Sequence, residues 1–423
     1  MKVYLRTFGC RANHYDSEAV RALVAGAGYT IAESPVDADV AVFNSCAVTA
    51  EAEADLRQSV RRAARANARL RTVVMGCAAS LDRGAIRMLP TVSYVVAGAD
   101  LASLANALDL PAVSAIGLTT RAQTSARAVL RIQDGCNEHC TFCATAIARG
   151  AARSRELEVV VAEAEALSER HSEIVLTGIH IGSWGVDCDA RLSELVEALV
   201  RRVPNVRFRL SSLEATEVDE RLVTLLRRDG GRLAAHLHAP LQSGSDRVLR
   251  RMGRHWYTAE QYAAAVRALC ADREVFGLGA DVICGFPGET EEDHEATLTL
   301  IGQLPFTYLH VFPFSARPAT SAVRLGPDVP SSAIERRCSE VRALGARKAR
   351  AYRERRVGGK ADVVVTRGGP RGEGMTEDFL TVRLSQSMPR GSRFRARLTM
   401  SDGQLVATPE AASATATRYL SAS

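Results

Sequence analysis

The chain has 423 residues, 47% hydrophobic and 24% charged, a composition typical of a globular protein with two or three domains. No apolar run approaches the roughly 20 residues of a membrane-spanning helix, and the charged N-terminus is unlike a signal peptide, so we expect a cytoplasmic protein without membrane contact. Ten cysteines argue against a secreted disulfide framework and favour metal ligation, while the net charge of +6 weakly indicates a polyanionic partner.

The first hundred residues alternate between apolar strands and helical patterns. Strands are predicted at about 2–8, 38–44, 71–76 and 92–97, and helices at about 15–27, 51–68, 81–88 and 100–108. This alternation predicts a parallel α/β sheet in an N-terminal domain spanning 1–110. Residues 109–126 lose the rhythm and carry Ser, Thr and Ala, which indicates a linker.

Three cysteines, here called the strand-end cysteines, follow three of these strands: Cys10, Cys46 and Cys77. Parallel strands all point the same way, so the three thiols are expected along one edge of the sheet, where open α/β sheets bind ligands. Buried structural thiols are the alternative, since free cysteine is common in cores. Three matching placements favour a metal cluster over that alternative.

A second α/β series is predicted from about 127 to 325. Its strands are predicted at 129–133, 173–176, 206–210, 234–238, 278–283 and 308–312, with helices such as 157–169, 190–202 and 258–271. Six βα units predict a partial (β/α)6 barrel.

The loop after the first barrel strand holds three more cysteines, here called the loop cysteines: Cys136, Cys140 and Cys143. Their CxxxCxxC spacing lets one short loop wrap three thiolates around one iron–sulfur cluster and leave one iron open for a ligand. A zinc site is the alternative, with His139 as the nearby fourth ligand, although zinc usually takes cysteines paired as CxxC. The carboxyl end of a barrel strand is where barrel active sites form.

The chain ends in two smaller units. Residues 333–357 are predicted to be a basic helical connector, since the segment from 335 to 360 carries ten Arg or Lys against three Glu. Short strands predicted at 361–366, 381–384, 393–400 and 404–408 indicate a small β-barrel spanning 358–423, with a frayed tail at 411–423. Arg317 and the basic helix are candidates for phosphate contacts, with a solvated charged helix as the alternative.

The loop spacing, with Phe142 before its last cysteine, resembles the radical S-adenosylmethionine superfamily. That family reduces S-adenosylmethionine at the open iron and forms a 5′-deoxyadenosyl radical. The segments TFGC, NSCAV and MGC around the strand-end cysteines resemble the N-terminal domain of the methylthiotransferases, in which these cysteines hold a second [4Fe-4S] cluster. The final barrel resembles the family's RNA-binding module, called TRAM.

The resemblance also implies the residues that bind S-adenosylmethionine. They lie at the carboxyl ends of the barrel strands, in segments such as TGIH, SSLE, HLHAPLQSGS and DVICGFPGET. The implied cofactor-binding residues are Phe142, Gly178, Ser211, Glu214, His238, Gln242 and Gly285. Turns and helix caps explain several of these residues equally well when each is taken singly.

The segment CAVTAEAE after Cys46 and the sequence TFGCR resemble the methylthiotransferases of threonylcarbamoyladenosine. The segment 144–150 departs from the family by lacking a proline after Cys143. The resemblance implies methylthiolation at C2 of that adenosine at tRNA position 37, with the anticodon stem-loop, an electron donor such as flavodoxin or ferredoxin, and a sulfur donor as partners. Isopentenyladenosine or a ribosomal-protein aspartate are alternative substrates, and a non-catalytic zinc-containing RNA-binding protein or a two-cluster electron carrier are alternative functions.

Overall fold

The structure is a computed structural model that describes residues 1–110, 123–227, 231–317 and 320–410. Most of the predicted linker at 109–126, and all of the predicted tail at 411–423, lie outside the described residues. In the part of the chain that is described, no helix combines the length and the apolar character that crossing a bilayer requires.

The N-terminal part is a five-stranded parallel sheet with the strand order β2-β1-β3-β4-β5. Its strands are β1 Lys2–Thr7, β2 Thr30–Ala32, β3 Val40–Ser45, β4 Arg71–Gly76 and β5 Val92–Val95. Its helices are α1 Arg11–Gly26, α2 Ala50–Ala66, α3 Cys77–Leu81 and α4 Leu101–Ala107. β3 is buried along its whole length because helices cover both faces of the sheet.

Two elements of this region differ from the prediction. β2 is missing from the prediction because three half-exposed residues at a sheet edge carry too short a pattern. The helix predicted at 81–88 is wrong, since α3 begins at Cys77 and ends at Leu81, and turns follow it. Gly84 lies in the left-handed region with φ +105°, which a continuing helix does not allow.

The central part confirms the expected partial barrel. Six parallel strands follow one another around it: β6 Ala128–Arg131, β9 Glu173–Thr177, β10 Arg207–Leu210, β11 His236–His238, β12 Gly277–Cys284 and β13 Tyr308–Pro313. Isolated bridges join β10 to β11 between the two three-stranded halves. A small antiparallel pair, β7 Gln133–Asp134 and β8 Arg153–Ser154, closes the base of the cysteine loop.

Seven helices accompany the described strands of the barrel. They are α5 Thr145–Arg149, α6 Leu157–Ser168, α7 Leu192–Arg202, α8 Glu220–Arg227, α9 Asp246–Arg251, α10 Ala259–Cys270 and α11 Glu291–Gln303. Their apolar faces pack on the strands in one continuous core, which includes Leu176, Phe208 and Val282. This core fixes the strand ends, and with them the loops that carry the site.

The C-terminal part is a long helix, α12 Ser331–Arg355, followed by a closed five-stranded barrel with the strand order β14-β15-β16-β18-β17. The strands are β14 Lys360–Arg367, β15 Glu373–Met375, β16 Thr381–Leu384, β17 Arg393–Ser401 and β18 Gln404–Pro409. β15 is missing from the prediction because it is short and centred on a glycine. A small apolar core, including Val363 and Leu398, fills the barrel.

Buried arginines join the C-terminal barrel to the central one. Arg207 and Arg209 are fully buried on β10, and both pair with Glu173 of β9. Arg207 also donates to the carbonyl oxygen of Asp362, and Arg209 to that of Thr376. These contacts seat the small barrel against the amino-terminal end of the central strands.

Arg317 joins the N-terminal and central parts. It is buried and pairs with Glu53 of α2, and Ser315 accepts a hydrogen bond from the backbone N–H of Ala50. The suggestion that Arg317 contacts phosphates is therefore wrong, because its charge is already used inside the protein.

Candidate two-cluster active site

The strand-end cysteines come together at the carboxyl edge of the N-terminal sheet. Cys10, Cys46 and Cys77 follow the adjacent strands β1, β3 and β4. Gly9 has φ +93°, and a Cβ on it would lie 2.7 Å from Sγ of Cys46. Burial, together with the neighbouring Cys10 and Cys77, raises the pKa of Cys46 to about 11. Buried thiols this close together ionise only with difficulty, because their negative charges would repel one another. A bound metal centre compensates that negative charge, so the arrangement suits metal ligation.

Asn13, on the first turn of α1, ties the three cysteine loops together. Its Nδ2 donates to the carbonyl oxygens of Phe8 and Ser45, both at 2.9 Å. Its Oδ1 lies 3.9 Å from Sγ of both Cys10 and Cys77. The side chain is fully buried, so it fixes the spacing of the thiols from inside the site.

The loop cysteines lie between β7 and α5, at the carboxyl end of the first barrel strand. The backbone N–H of Glu138 donates to Sγ of Cys136 at 3.4 Å, and that of Thr145 donates to Sγ of Cys143 at 3.4 Å. Burial raises the pKa of Cys140 to about 12. Amide donors aimed at two of the sulfur atoms favour thiolates, the form that ligates iron.

The spacing of the thiols tests a cluster against a single zinc ion. A metal ion needs several His, Cys, Asp or Glu ligand atoms close together. In the described ranges, three such atoms lie within 4.8 Å of one another in one set, His238, Asp281 and His310. Neither cysteine set is that compact, although zinc with Zn–S bonds of about 2.3 Å needs ligands that close. His139, the proposed fourth zinc ligand, is exposed. The six thiols therefore fit two iron–sulfur clusters better than zinc.

Arg149, the last residue of α5, connects the two cysteine sets. Its Nε donates to Sγ of Cys77 at 3.4 Å, and its Nη2 donates to Asn13 and Asp16, both at 2.7 Å. Its Nη1 donates to Asp134, beside the loop cysteines, at 3.2 Å. Burial lowers the pKa of Arg149, but Asp16, Cys77 and Asp134 outweigh burial and raise it. One buried guanidinium thus fixes the loop of one set against a cysteine of the other.

Two further ion pairs touch the loop cysteines. Arg254 lies 3.7 Å from Sγ of Cys140 and forms a 2.5 Å pair with Glu214, one of the predicted cofactor-binding residues. His180 lies 3.8 Å from Sγ of Cys136 and 2.7 Å from Glu217. Although burial lowers the pKa of His180, Cys136 and Glu217 raise it to about 10, which makes this side chain a cation beside the site.

Three other predicted cofactor-binding residues lie around the same loop. Phe142 is half-buried and packs edge-on against Phe286, with ring centroids 6.3 Å apart. Gly178 follows β9, and a Cβ there would lie 2.7 Å from the carbonyl oxygen of Gln133. Ser211 is buried at the end of β10. All three stand at carboxyl ends of barrel strands or in the cysteine loop.

Gln242 and Gly285 follow β11 and β12. Gln242 has φ +62°, a left-handed conformation that is uncommon for glutamine and is fixed by backbone bonds to Asp281 and Ile283. Gly285 has φ +79°, and a Cβ on it would lie 2.3 Å from Cγ1 of Ile334 of α12. Close packing of the connector helix is therefore a sufficient reason for glycine at 285.

His238 is part of a hydrogen-bonded chain inside the barrel. The hydroxyl of Tyr308 lies 2.8 Å from Nε2 of His236 and 3.1 Å from Nδ1 of His238. Nε2 of His238 lies 3.1 Å from Oδ1 of Asp281, which also lies 3.3 Å from Nδ1 of His310. Burial raises the pKa of Asp281, but the two histidines outweigh it and lower it, so the carboxylate is ionised.

Sequence reasoning missed the roles of Arg149, Arg254 and Tyr308. Arg149 stands in the segment that departs from the family pattern, and Arg254 follows a short helix with no motif around it. Tyr308 opens a strand whose alternation with His310 and Phe312 is the one signal available, since alternate residues share a face. Only folding brings these side chains to the cysteines and histidines.

Two family models match the N-terminal and the central part of the chain. Residues 2–98 match a model described as "Uncharacterized protein family UPF0004", and residues 130–301 match the radical SAM superfamily. Among solved structures, the radical S-adenosylmethionine methyltransferase TsrM from Kitasatospora setae, with cobalamin and a [4Fe-4S] cluster bound, superposes with a TM-score of 0.56. It is 16% identical, and the match covers 76% of this chain and 73% of that one. This likeness shows a shared fold.

Curated relatives match over most of the chain. The Bacillus subtilis protein named threonylcarbamoyladenosine tRNA methylthiotransferase MtaB is 38% identical over 369 residues, which is 83% of this chain and 81% of the relative. Proteins of the same name from Aquifex aeolicus and Rickettsia prowazekii are 32% and 31% identical, covering 85% and 93% of this chain and 91% and 93% of their own lengths.

Proposed function

Since the chain belongs to the family of radical S-adenosylmethionine tRNA methylthiotransferases, we propose that it adds a methylthio group to C2 of N6-threonylcarbamoyladenosine at position 37 of tRNA. The observation that carries the proposal is the meeting of both cysteine sets at Arg149. Joining sulfur from one centre to an adenosine activated at another requires both centres at one cavity. The substrate is inferred from the names of the relatives.

The chemistry divides between the two sets of thiols. When bound, a [4Fe-4S] cluster on the loop cysteines supplies the electron that cleaves S-adenosylmethionine, and a second cluster on the strand-end cysteines holds the sulfur. Each set of cysteines would hold its cluster through three thiolates. Arg254 and Glu214 bury their charges against the loop cysteines, and Asn13 and Arg149 hold the strand-end cysteines in place.

The surface of the C-terminal barrel supports an RNA partner. Arg383, Arg395 and Arg397 are exposed on its outer face, and Arg347 and Arg350 are exposed on α12. We propose that these side chains contact phosphates of the anticodon stem-loop. The unpaired adenosine would then be splayed out of the loop and enter the central barrel. The reaction also requires an electron donor such as flavodoxin or ferredoxin, and a sulfur donor.

Mass spectrometry of tRNA nucleosides from a strain that lacks the gene tests the substrate. We expect loss of 2-methylthio-N6-threonylcarbamoyladenosine and accumulation of its unthiolated precursor. The chain should restore the product, while a Cys46→Ala variant should not. Unchanged tRNA would refute the proposed substrate, and a lost methylthio group on a ribosomal protein or on isopentenyladenosine would redirect it.

A further inference from the structure

Arg11 forms no ion pair with any acidic group in the described structure. It is the first residue of α1 and directly follows Cys10. Among the described residues its guanidinium has neither an ion pair nor a hydrogen bond. It lies over the ring of Phe379, with Cζ 5.8 Å from the ring centroid. A ring face attracts the cation. It accepts no hydrogen bond from the five N–H groups, which lie in the plane of the guanidinium.

The one carboxylate nearby is already used. Glu173 pairs with Arg127 at 3.3 Å, with Arg207 at 2.5 Å and with Arg209 at 3.0 Å. Arg207 also pairs with Asp362 at 3.3 Å, and that carboxylate pairs with Arg393 as well. Arg207 and Arg209 complete their hydrogen bonds with carbonyl oxygens of the C-terminal barrel. Arg11 therefore adds positive charge to a region that already holds more arginine than acid, and such a region favours an anionic ligand.

The neutral groups around Arg11 suit a small organic anion that also has a polar and a planar part. Tyr308 lies against Phe379, the ring beneath Arg11, with centroids 5.3 Å apart, and its hydroxyl lies within hydrogen-bond distance of His236 and His238. His236 stacks on Phe379 and on Tyr308, with centroids 4.5 and 6.0 Å apart, and Phe379 is tilted against Tyr308. The anion would meet a guanidinium, a hydroxyl and ring faces together.

The position of Arg11 relates this region to the reaction. Its neighbour Cys10 is the exposed member of the strand-end cysteines. Tyr308 and His238 stand on strands of the central barrel, and Phe379 stands on the C-terminal barrel, so all three parts of the chain meet here. In adenosine, C2 and the N6 substituent flank N1 on the same edge of the base. An adenosine with its C2 at the strand-end cysteines would therefore hold that substituent close to Arg11, the neighbour of Cys10.

We propose that Arg11 binds the threonyl carboxylate of the N6 substituent of the substrate adenosine, and thereby selects this nucleoside over adenosines with neutral substituents. The inference rests on the proposed function. A single unpaired guanidinium matches a carboxylate in its two-point geometry. A backbone phosphate, the other anion of tRNA, is tied to a bulky sugar chain that fits a buried corner poorly.

The test uses the reconstituted holoenzyme and two anticodon stem-loops. One carries N6-threonylcarbamoyladenosine, and the other carries the same nucleoside with its carboxylate converted to the amide. We expect the wild type to prefer the carboxylate in kcat/KM by roughly 10- to 150-fold, the range for a hydrogen bond to a charged group. Arg11→Gln should abolish this preference, and Arg11→Lys should keep part of it.

Arg21→Gln is the matched control, because Arg21 stands on the same helix and pairs with Glu18 on its outer side. Iron content and S-adenosylmethionine cleavage without RNA should equal the wild type in each variant. A wild type without preference for the carboxylate, or an Arg11→Gln enzyme that keeps the preference, would overturn the assignment. If Arg11→Gln loses iron, the assignment of Arg11 is still tested by the wild-type preference for the carboxylate and by the Arg11→Lys variant. No product from either RNA would instead refute the proposed function.

Discussion

Replacing Arg149 by methionine should uncouple the two cysteine sets. The side chain is 3% exposed, and its guanidinium serves Asp16, Asp134, Asn13 and Cys77 at once. Methionine fills much of the same volume without a charge, so the loss measures the polar contacts rather than a cavity.

The magnitude follows from what remains paired. Removing one partner of a buried ion pair typically costs about 3–5 kcal/mol because the other charge stays buried. Asp16 keeps Arg131 at 2.6 Å, and Asp134 is 21% exposed and also keeps Arg131. We therefore expect the lower end, about 3 kcal/mol of destabilisation. Arg149→Lys should recover only part of it, since a single ammonium does not reach four acceptors.

Thermal unfolding and iron content measure the result, with the exposed Arg153→Met as the matched control in the same segment. We expect Arg149→Met to unfold at a lower temperature than the control. We also expect it to lose iron from the strand-end cysteines while it still cleaves S-adenosylmethionine. A melting temperature and iron content equal to those of Arg153→Met would refute the argument that Arg149 holds the sets together.

Further variants test the remaining parts of the structure. Alanine at all three loop cysteines should abolish cleavage of S-adenosylmethionine. Retained cleavage would refute the assignment of these cysteines to the cleaving cluster. Alanine at all three strand-end cysteines should leave cleavage intact and stop methylthiolation. It should also lower the iron content from about eight to about four per chain. An unchanged iron content would contradict a second cluster at these cysteines. Glu173→Gln should destabilise by about 3–5 kcal/mol and expose the C-terminal barrel to proteolysis, whereas Glu158→Gln, which alters an exposed ion pair, should leave stability close to that of the wild type. Although burial raises the pKa of Glu173, its arginines lower it far below the ordinary value, so its stabilisation is present above the unfolded pKa and is lost as pH falls. Acid titration of the wild type and Glu173→Gln should therefore bring their stabilities together, and a constant difference would refute it.

Most of the fold follows from patterns along the chain. Strand–helix alternation predicts both α/β parts, because a parallel sheet needs a helix between neighbouring strands. The strands that the prediction misses, β2, β8 and β15, are only two or three residues long, and the misplaced helix at 81–88 contains a glycine in a left-handed turn. Short segments carry too little periodicity to outweigh their tertiary contacts.

The six candidate cysteine ligands could be identified from the chain alone, because their spacing and their places after strands are local features. The side chains that surround these cysteines, in contrast, depend on how distant elements pack. Arg149 reaches Cys77 across 72 residues of sequence, and Arg317, a candidate for phosphate contact, is turned inward to Glu53. The partner of a charged side chain depends on which elements pack together, and no local pattern encodes that. The same holds for Arg11. Its lack of an acidic partner depends on how all three parts of the chain pack around it.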